Sequence, residues 1–253
     1  MKRLIAMLVS AVIVLGVLTW CVVELPGRPG WGGYAAGSGE APASVQHIRI
    51  NCKTQATVRV APRADAVIRF SSDGAALRWR VRGKTLELIL EGDQPGTCSV
   101  TVPQTLLLND LDIQGNTVNG SVEQLVIRDL TLRTQAGDFA VTGAKCIDAL
   151  VAKSKSGAFR IGEVSARRFD VKTADGSVLL AAPVFQRDCK VISKSGDIGV
   201  QLPPGSVVAV RERHGSGSFE NVFDDAKTGM RFTLHTRSGA IRLIETEPPQ
   251  PAD

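Results

Sequence analysis

Aromatic residues are scarce in this chain, with one tyrosine, three tryptophans and eight phenylalanines among 253 residues. Two of the tryptophans, Trp20 and Trp31, precede the expected folded region. A polysaccharide-cleaving enzyme needs clustered carboxylates and usually aromatic platforms, and the sequence supplies little of either. Histidine is also rare: His47, His214 and His235 show no ligand spacing with the cysteines, and no CxxC occurs, so no metal and no cofactor is expected. Strong charge is missing too. The formal net charge is +5, falling to +3 once Lys2 and Arg3 are set aside, without the concentrated basic patch that nucleic acid would require. After Val23 no stretch carries helical periodicity. A hydrophobic fraction of 43% with 22% charged residues nevertheless belongs to a globular protein.

The first segment is different. Lys2 and Arg3 are followed by an uncharged apolar run from Leu4 to Val23, 20 residues or about 30 Å of helix, enough to cross a bilayer core. Signal peptides usually have a shorter apolar region and a small-x-small cleavage site. Here the run ends in "TWCVVELPGRPGW", and Trp20 is too large to precede a lipid-modified Cys21. Residues 1–24 are therefore expected to anchor the chain in the cytoplasmic membrane, with the N-terminus cytoplasmic and the remainder periplasmic or extracellular. A cleaved signal, leaving a secreted protein, is the alternative. Residues 25–44, rich in Gly, Pro, Ala and Ser, read as a linker, and 245–253 as a disordered tail.

Between them, residues 45–244 carry strand patterns. In "HIRINCK", "TVRVA", "AVIRF", "LRWRV" and "LELIL" apolar residues alternate with polar ones, as in strands with one buried face. "SSDGAA" at 71–76 and "VRGKT" at 81–85 suit hairpin turns, which predicts an N-terminal antiparallel strand cap. Farther on, glycines recur at 120, 137, 157, 176, 196, 217 and 239, spaced by 17, 20, 19, 20, 21 and 22 residues. Two residues after each stands Val122, Phe139, Phe159, Val178, Ile198, Phe219 or Ile241; seven before stands Ile113, Leu130, Leu150, Phe169, Cys189, Val210 or Phe232. Three before stand Thr134, Ser154, Thr173, Ser193 and Thr236. Positions seven, five and three before the glycine share one strand face. A repeat near twenty residues whose apolar face must be covered by its neighbours predicts a β-solenoid, β-helix-like, of about seven coils. Gly120, Gly137, Gly157, Gly176, Gly196, Gly217 and Gly239 are its expected corner glycines, at positive φ, with the Ser/Thr column forming a hydroxyl ladder inside the corner.

The succession "HIRINCKTQATVRVAPRADAVIRF", "SVTVPQTLLLNDLDIQG", "SKSGAFRIG", "TADGSVLL", "SKSGDIGVQLPPGS" and "TGMRFTLHTRSGAIRLI" resembles the bacterial putative-adhesin β-helix family, a domain of unknown function found in envelope proteins. The resemblance covers most of 45–244 and implies an architecture; it brings no catalytic residues.

Four cysteines fall in the outer domain, an even number in an oxidising compartment. Cys52 and Cys98, both in alternating strands, are the expected disulfide. Cys146 and Cys189, about two coils and ~10 Å apart, exceed the reach of a bridge, and buried free thiols are the alternative for all four. "RHGSGSF" at 213–219 matches neither GxSxG nor GxxxxGK and falls on a corner glycine. Asp138 and Asp197 each follow a corner glycine but stand three coils apart, too far for paired-carboxylate catalysis. No enzyme is expected. Outward positions carry Arg133, Lys153, Lys155, Lys172, Lys190, Lys194, Arg211, Arg213 and Arg237, which stacking aligns into a cationic stripe. Such a stripe suits an anionic envelope polymer or surface, although solvated strand faces are commonly Lys and Arg for solubility alone. Three functions follow: a membrane-anchored envelope or adhesion module binding a polymer or protein partner, an accessory or sensor component of envelope-stress signalling, and, least favoured, a carbohydrate-active enzyme.

Overall fold

The computed structural model describes residues 35–223 and 229–246. The apolar run Leu4–Val23 and the tail beyond 246 lie outside the described residues. Among those described every regular element is a strand, and no helix occurs.

Each coil supplies one strand to a front sheet and one to a back sheet, and the two sheets face each other across the core. Front strands include Leu108–Glu123 in its first half, Val126–Ala136, Lys145–Lys153, Ser165–Lys172 and Asp188–Ile192. Their back-sheet continuations are the second half of Leu108–Glu123, then Phe139–Thr142, Phe159–Gly162, Val178–Ala181 and Ile198–Leu202. All these neighbours pair in parallel with almost unbroken register. Register stacks like on like. Leu111, Leu130, Leu150, Phe169, Cys189 and Phe232 form one buried column. Phe139, Phe159, Val178, Ile198 and Ile241 form the facing one, where the Phe139 and Phe159 rings stack at 6.1 Å.

Spatial order departs from chain order at both ends. His47–Cys52 and Ala56–Arg63 make a parallel coil between the 85–103 coil and the 108–123 coil. Met230–Thr236 and Ile241–Glu245 likewise sit between the 188–202 coil and the 208–221 coil, which is thereby outermost. The described residues thus contain nine parallel coils, not seven. The two extra coils come from the region expected to be an antiparallel meander. Their alternation was compatible with either arrangement, because a solenoid's parallel sheets keep one face in water and so alternate like antiparallel ones.

The antiparallel cap is smaller than expected. Ala76–Arg82 pairs with Thr85–Glu91 through the hairpin turn at Gly83, and Val67–Asp73 pairs with Gly96–Pro103. "SSDGAA" is a corner between the two sheets, not a hairpin turn, since the strands on either side of it pair with different partners. Ala35–Ala36 and Gly39–Pro42 add a final layer. Half of the expected linker is therefore part of the fold. Its small residues are there for packing: a Cβ on Gly39 would meet the Trp79 ring at 2.8 Å and the Phe70 ring at 2.9 Å, and Ala41 is buried.

The opposite end is closed chemically. In the 208–221 coil Glu212 stands beneath Leu234 and Asn221 beneath Leu243, so two inward positions are polar where the stack stops, while Val208, Val210 and Phe219 continue the apolar columns. A charge at an inward position of an edge strand discourages further strand addition.

The recurring glycines do not serve as expected. Only Gly137 has positive φ, at 107°; the left-handed residues occupy the opposite corner, where Gln124, Gly143, Glu163 and Ala182 follow one another on successive coils. At the glycine corner the cause is close approach. A Cβ on Gly157 would fall on the carbonyl oxygen of Gly137, one on Gly176 on that of Gly157, and one on Gly196 on that of Gly176. The series continues from Gly239 onto Gly196 and from Gly217 onto Gly239, tracing the inserted last coil. Gly120 is not a member. It aligns with Phe139 rather than Gly137, and its missing side chain makes room for the Phe139 ring. Its coil crosses from sheet to sheet through one continuous strand, which displaces the glycine two residues from the corner.

Gly176→Ala is expected to destabilise the protein by about 3 kcal/mol, because backbone cannot yield to the new methyl as a flexible side chain would. Gly162, with nothing within 4 Å of its Cβ position, should accept alanine at a cost below about 1 kcal/mol. Urea unfolding midpoints of the two variants compare them directly.

Candidate binding face

The Ser/Thr column lies at the glycine corner, buried at Thr134, Thr173, Ser193 and Thr236 and half-buried at Ser154, and its hydroxyls are committed there. Ser154, Thr173, Ser193 and Thr236 each accept the N–H of the glycine three residues on, at 2.6, 3.1, 2.9 and 3.0 Å. Thr173, Ser193 and Thr236 also donate to the glycine carbonyl of the adjacent coil, at 3.2, 3.3 and 3.3 Å. The expected hydroxyl ladder is thus a relay, with glycine backbone between successive hydroxyls. It satisfies polar groups that sheet pairing leaves over at a buried turn. None of these oxygens is placed as a nucleophile. Asp138 and Asp197 are similarly occupied, accepting the N–H of Ala158 at 2.8 Å and of Ala240 at 2.7 Å in the next coil. "RHGSGSF" forms the corner of the outermost coil. Among the described residues no three His, Cys, Asp or Glu side chains are grouped to hold a metal.

Outward positions of the front sheet form columns along the axis. Arg133, Lys153 and Lys172 are adjacent in one column, which continues through Ile192 and His235 to Arg213. Lys155, Lys194 and Arg237 share a second column with Gln135 and Ala174, linked by backbone bonds from coil to coil. Lys190 and Arg211 lie in a third, separated by Thr233. The nine cations are thus spread over three neighbouring columns, not one line. Two are partnered: Arg133 lies 3.7 Å from Asp112 and Lys172 3.0 Å from Asp170. Lys153, Lys155, Lys190, Lys194, Arg211 and Arg237 form no ion pair with the described residues.

Acids gather at the other margin of the same face. Asp110 and Asp129 are register neighbours, and Asp148 lies in the bulge of the next coil. Burial, followed by the charges of Asp148 and Asp110, raises the Asp129 pKa above the ordinary aspartate value. His47 Nδ1 meets Asp110 at 2.5 Å, while Arg128 and Arg167 each stand 3.9 Å from Asp148. The face is therefore polarised across the strands: its entering side mixes acids with cations, Asp112 and Asp170 lie in the column of Lys190 and Arg211, and the two columns where the strands leave hold cations and no acid.

Between the first two cationic columns the backbone of the Ser/Thr column forms a floor that register carries from coil to coil between two separate concavities, a line we call the trough. It widens to about 590 Å³ beside Lys194, His235 and Arg237. Near the other end it widens to about 410 Å³ among Asn51, Gln114, Asn116, Gln135 and Arg133. The sequence does not mark these four amides, because the glycine spacing puts the corner two residues late in that coil. With Gly115 recognised as the floor residue, Gln114 and Asn116 fall on the two walls.

These features define a two-sheet parallel β-solenoid with one polarised, solvent-facing sheet. Residues 45–248 match the Toastrack DUF4097 family, and the chain belongs to it. Its fold resembles that of a putative adhesin from Bacteroides fragilis NCTC 9343, with TM-score 0.50, 12% identity, and coverage of 87% of this chain and 99% of the other. A putative adhesin from Parabacteroides merdae ATCC 43184 aligns with TM-score 0.42 and 13% identity, covering 84% of this chain and 96% of that one. A putative cell adhesion protein from Clostridium sporogenes ATCC 15579 aligns with TM-score 0.38 and 10% identity, covering 84% and 100%. None of the curated proteins compared matches this chain.

The cysteines differ from expectation. Cys52, Cys98, Cys146 and Cys189 are all buried free thiols, and the Cys52–Cys98 bridge is not formed. Cys52 points inward from the front sheet in the column that becomes Gly115 and Thr134 in later coils; Cys98 points inward from the back sheet beside Val58. The two belong to facing sheets of adjacent coils, near enough for their charges to interact, and both are free. Cys146 aligns with Ala166, and Cys189 with Phe169, so those two occupy separate columns. Burial pushes the thiols of Cys52, Cys98 and Cys146 up to about 12 and raises Cys189 as well, keeping them protonated and unreactive. A Cys21→Ser protein should accordingly give no reaction with a thiol reagent at mildly alkaline pH while folded, and four thiols in denaturant. A titre of two in denaturant would establish the bridge instead.

Proposed function

We propose that this chain is a non-catalytic envelope module, anchored in the cytoplasmic membrane by residues 1–24, that displays its solenoid on the outer side and binds an anionic envelope polymer or surface through the front sheet. The observation that carries this reading is the set of cations in adjacent columns without acidic partners. Like charges on neighbouring strands repel, and a face evolved only for solubility gains by interspersing acids, as the entering margin of this same sheet does. Placing unpaired lysines together is favourable when an anionic surface neutralises them, at about 1 kcal/mol per lysine near an acidic bilayer. Commitment of the corner hydroxyls and of Asp138 and Asp197 to backbone bonds supports a binding role over a catalytic one. The adhesin names of the structural neighbours agree with it, and the Lys2, Arg3 and Leu4–Val23 pattern supports the anchor.

Full-length protein in neutral nanodiscs is expected to bind phosphatidylglycerol vesicles at low salt and to release them as screening shortens the reach of its charges. Changing Lys153, Lys155, Lys190 and Lys194 to Gln should weaken binding by more than about tenfold. Binding indifferent to salt and to these changes would refute the electrostatic face. Recovery of the native protein in the soluble fraction after alkaline extraction of membranes would refute the anchor.

A further inference from the structure

The trough is more specific than a cationic surface needs. Its two walls are outward columns of the front sheet, and its floor is the backbone of the buried Ser/Thr column, so it runs parallel to the solenoid axis. From the coil of Asn51 to that of Gly215 it crosses seven coil steps, about 34 Å at the spacing of hydrogen-bonded strands. Wall chemistry changes along the way. At the N-terminal end Asn51 and Gln114 face Asn116 and Gln135 across Gly115. Gln135 Nε2 donates to Asn116 Oδ1 at 3.1 Å, which leaves an acceptor on one amide and a donor on the other. At the C-terminal end Lys194, Arg237 and His235 stand around the wider opening. Gly215 occupies the wall position that Lys194 and Arg237 hold in their own coils, so a side chain is missing where the trough is widest.

Amides are unsuited to recognising charge, since each offers both a donor and an acceptor. Hydroxyl groups match them in both roles. Cations at the other end call for carboxylate or phosphate. An extended glycan advances by nearly one coil spacing per sugar residue, so successive sugars can meet successive coils. We infer that the trough binds an acidic polysaccharide lengthwise, its hydroxyls on the amide walls and its acid groups on the lysine and arginine end. This inference rests on the proposed surface-binding role and names the ligand class and the place where it lies.

The test uses full-length protein in neutral nanodiscs with three polymers: alginate, which carries hydroxyls and carboxylates, polyglutamate, which carries carboxylates alone, and dextran, which carries hydroxyls alone. Alginate should bind about tenfold or more tightly than polyglutamate, as one or two extra hydrogen bonds imply, and dextran weakest of all. Gln114→Ala with Gln135→Ala should reduce alginate binding by about tenfold and leave polyglutamate unchanged; Lys194→Gln with Arg237→Gln should reduce both. Arg59→Gln with Arg160→Gln on the back sheet should change neither. Equal affinity for alginate and polyglutamate, or no effect of the amide changes, would overturn the trough and leave a plain electrostatic face. Salt-sensitive vesicle binding without alginate binding would overturn the trough alone, whereas loss of binding to vesicles and polymers together would overturn the surface-binding reading as well.

Discussion

The rest of the structure depends on how closely neighbouring coils approach at the glycine corner. There the backbone of one coil occupies the volume that a β-carbon of the next would need, and the hydroxyl three residues earlier joins both coils by hydrogen bonds. A close approach of this kind fixes register, because sliding a coil by one residue would drive a side chain into a carbonyl and turn every core residue outward. Stacked leucine, phenylalanine and valine columns follow from that register. So do the outward columns, and hence any surface chemistry the protein has.

Much of this was legible in the sequence, for a physical reason. Serine or threonine three residues before glycine is the written form of the corner relay, and apolar residues at fixed offsets are the written form of the columns. The sequence could not reveal spatial order. Nothing in "TVRVA" or "MRFTLHT" tells whether the neighbouring coil is the next one in the chain or one beyond, since backbone pairing is indifferent to sequence distance. Small residues misled in two places. Gly39 and Ala41 lie in a stretch with linker composition, yet each is small because aromatic rings or core lie over it. Gly120 has the spacing of a corner glycine and is instead the clearance beneath Phe139. Alternation placed Cys52 and Cys98 on inward faces, where they are free thiols on facing sheets of adjacent coils, and pattern alone does not fix whether such neighbours are bridged.

The candidate face was visible only in outline. Cations at outward positions can be read from periodicity, but whether each meets an acid depends on its neighbours in adjacent coils. Arg133 and Lys172 found aspartates one coil or two residues away, and Lys153, between them, did not. The amide walls required the exact corner of the 108–123 coil, which its continuous strand conceals. Fold and stripe thus came from local pattern, whereas the trough came from register between residues as distant as Asn51 and Gln114.

The insertion of the last coil between two earlier ones has a bearing on synthesis. A chain emerging N-terminus first can lay down coils 108–202 one upon another as they appear. The 208–221 segment then cannot take its final place, because its sheet neighbour among the described residues, 230–245, has yet to arrive. These two segments must dock together, with the later one innermost. A chain cut short after residue 221 would therefore not be a shorter rod with a finished end; it would expose the apolar edge of the 188–202 coil without the coil that belongs on it. Completion of the rod doubles as a check on its length.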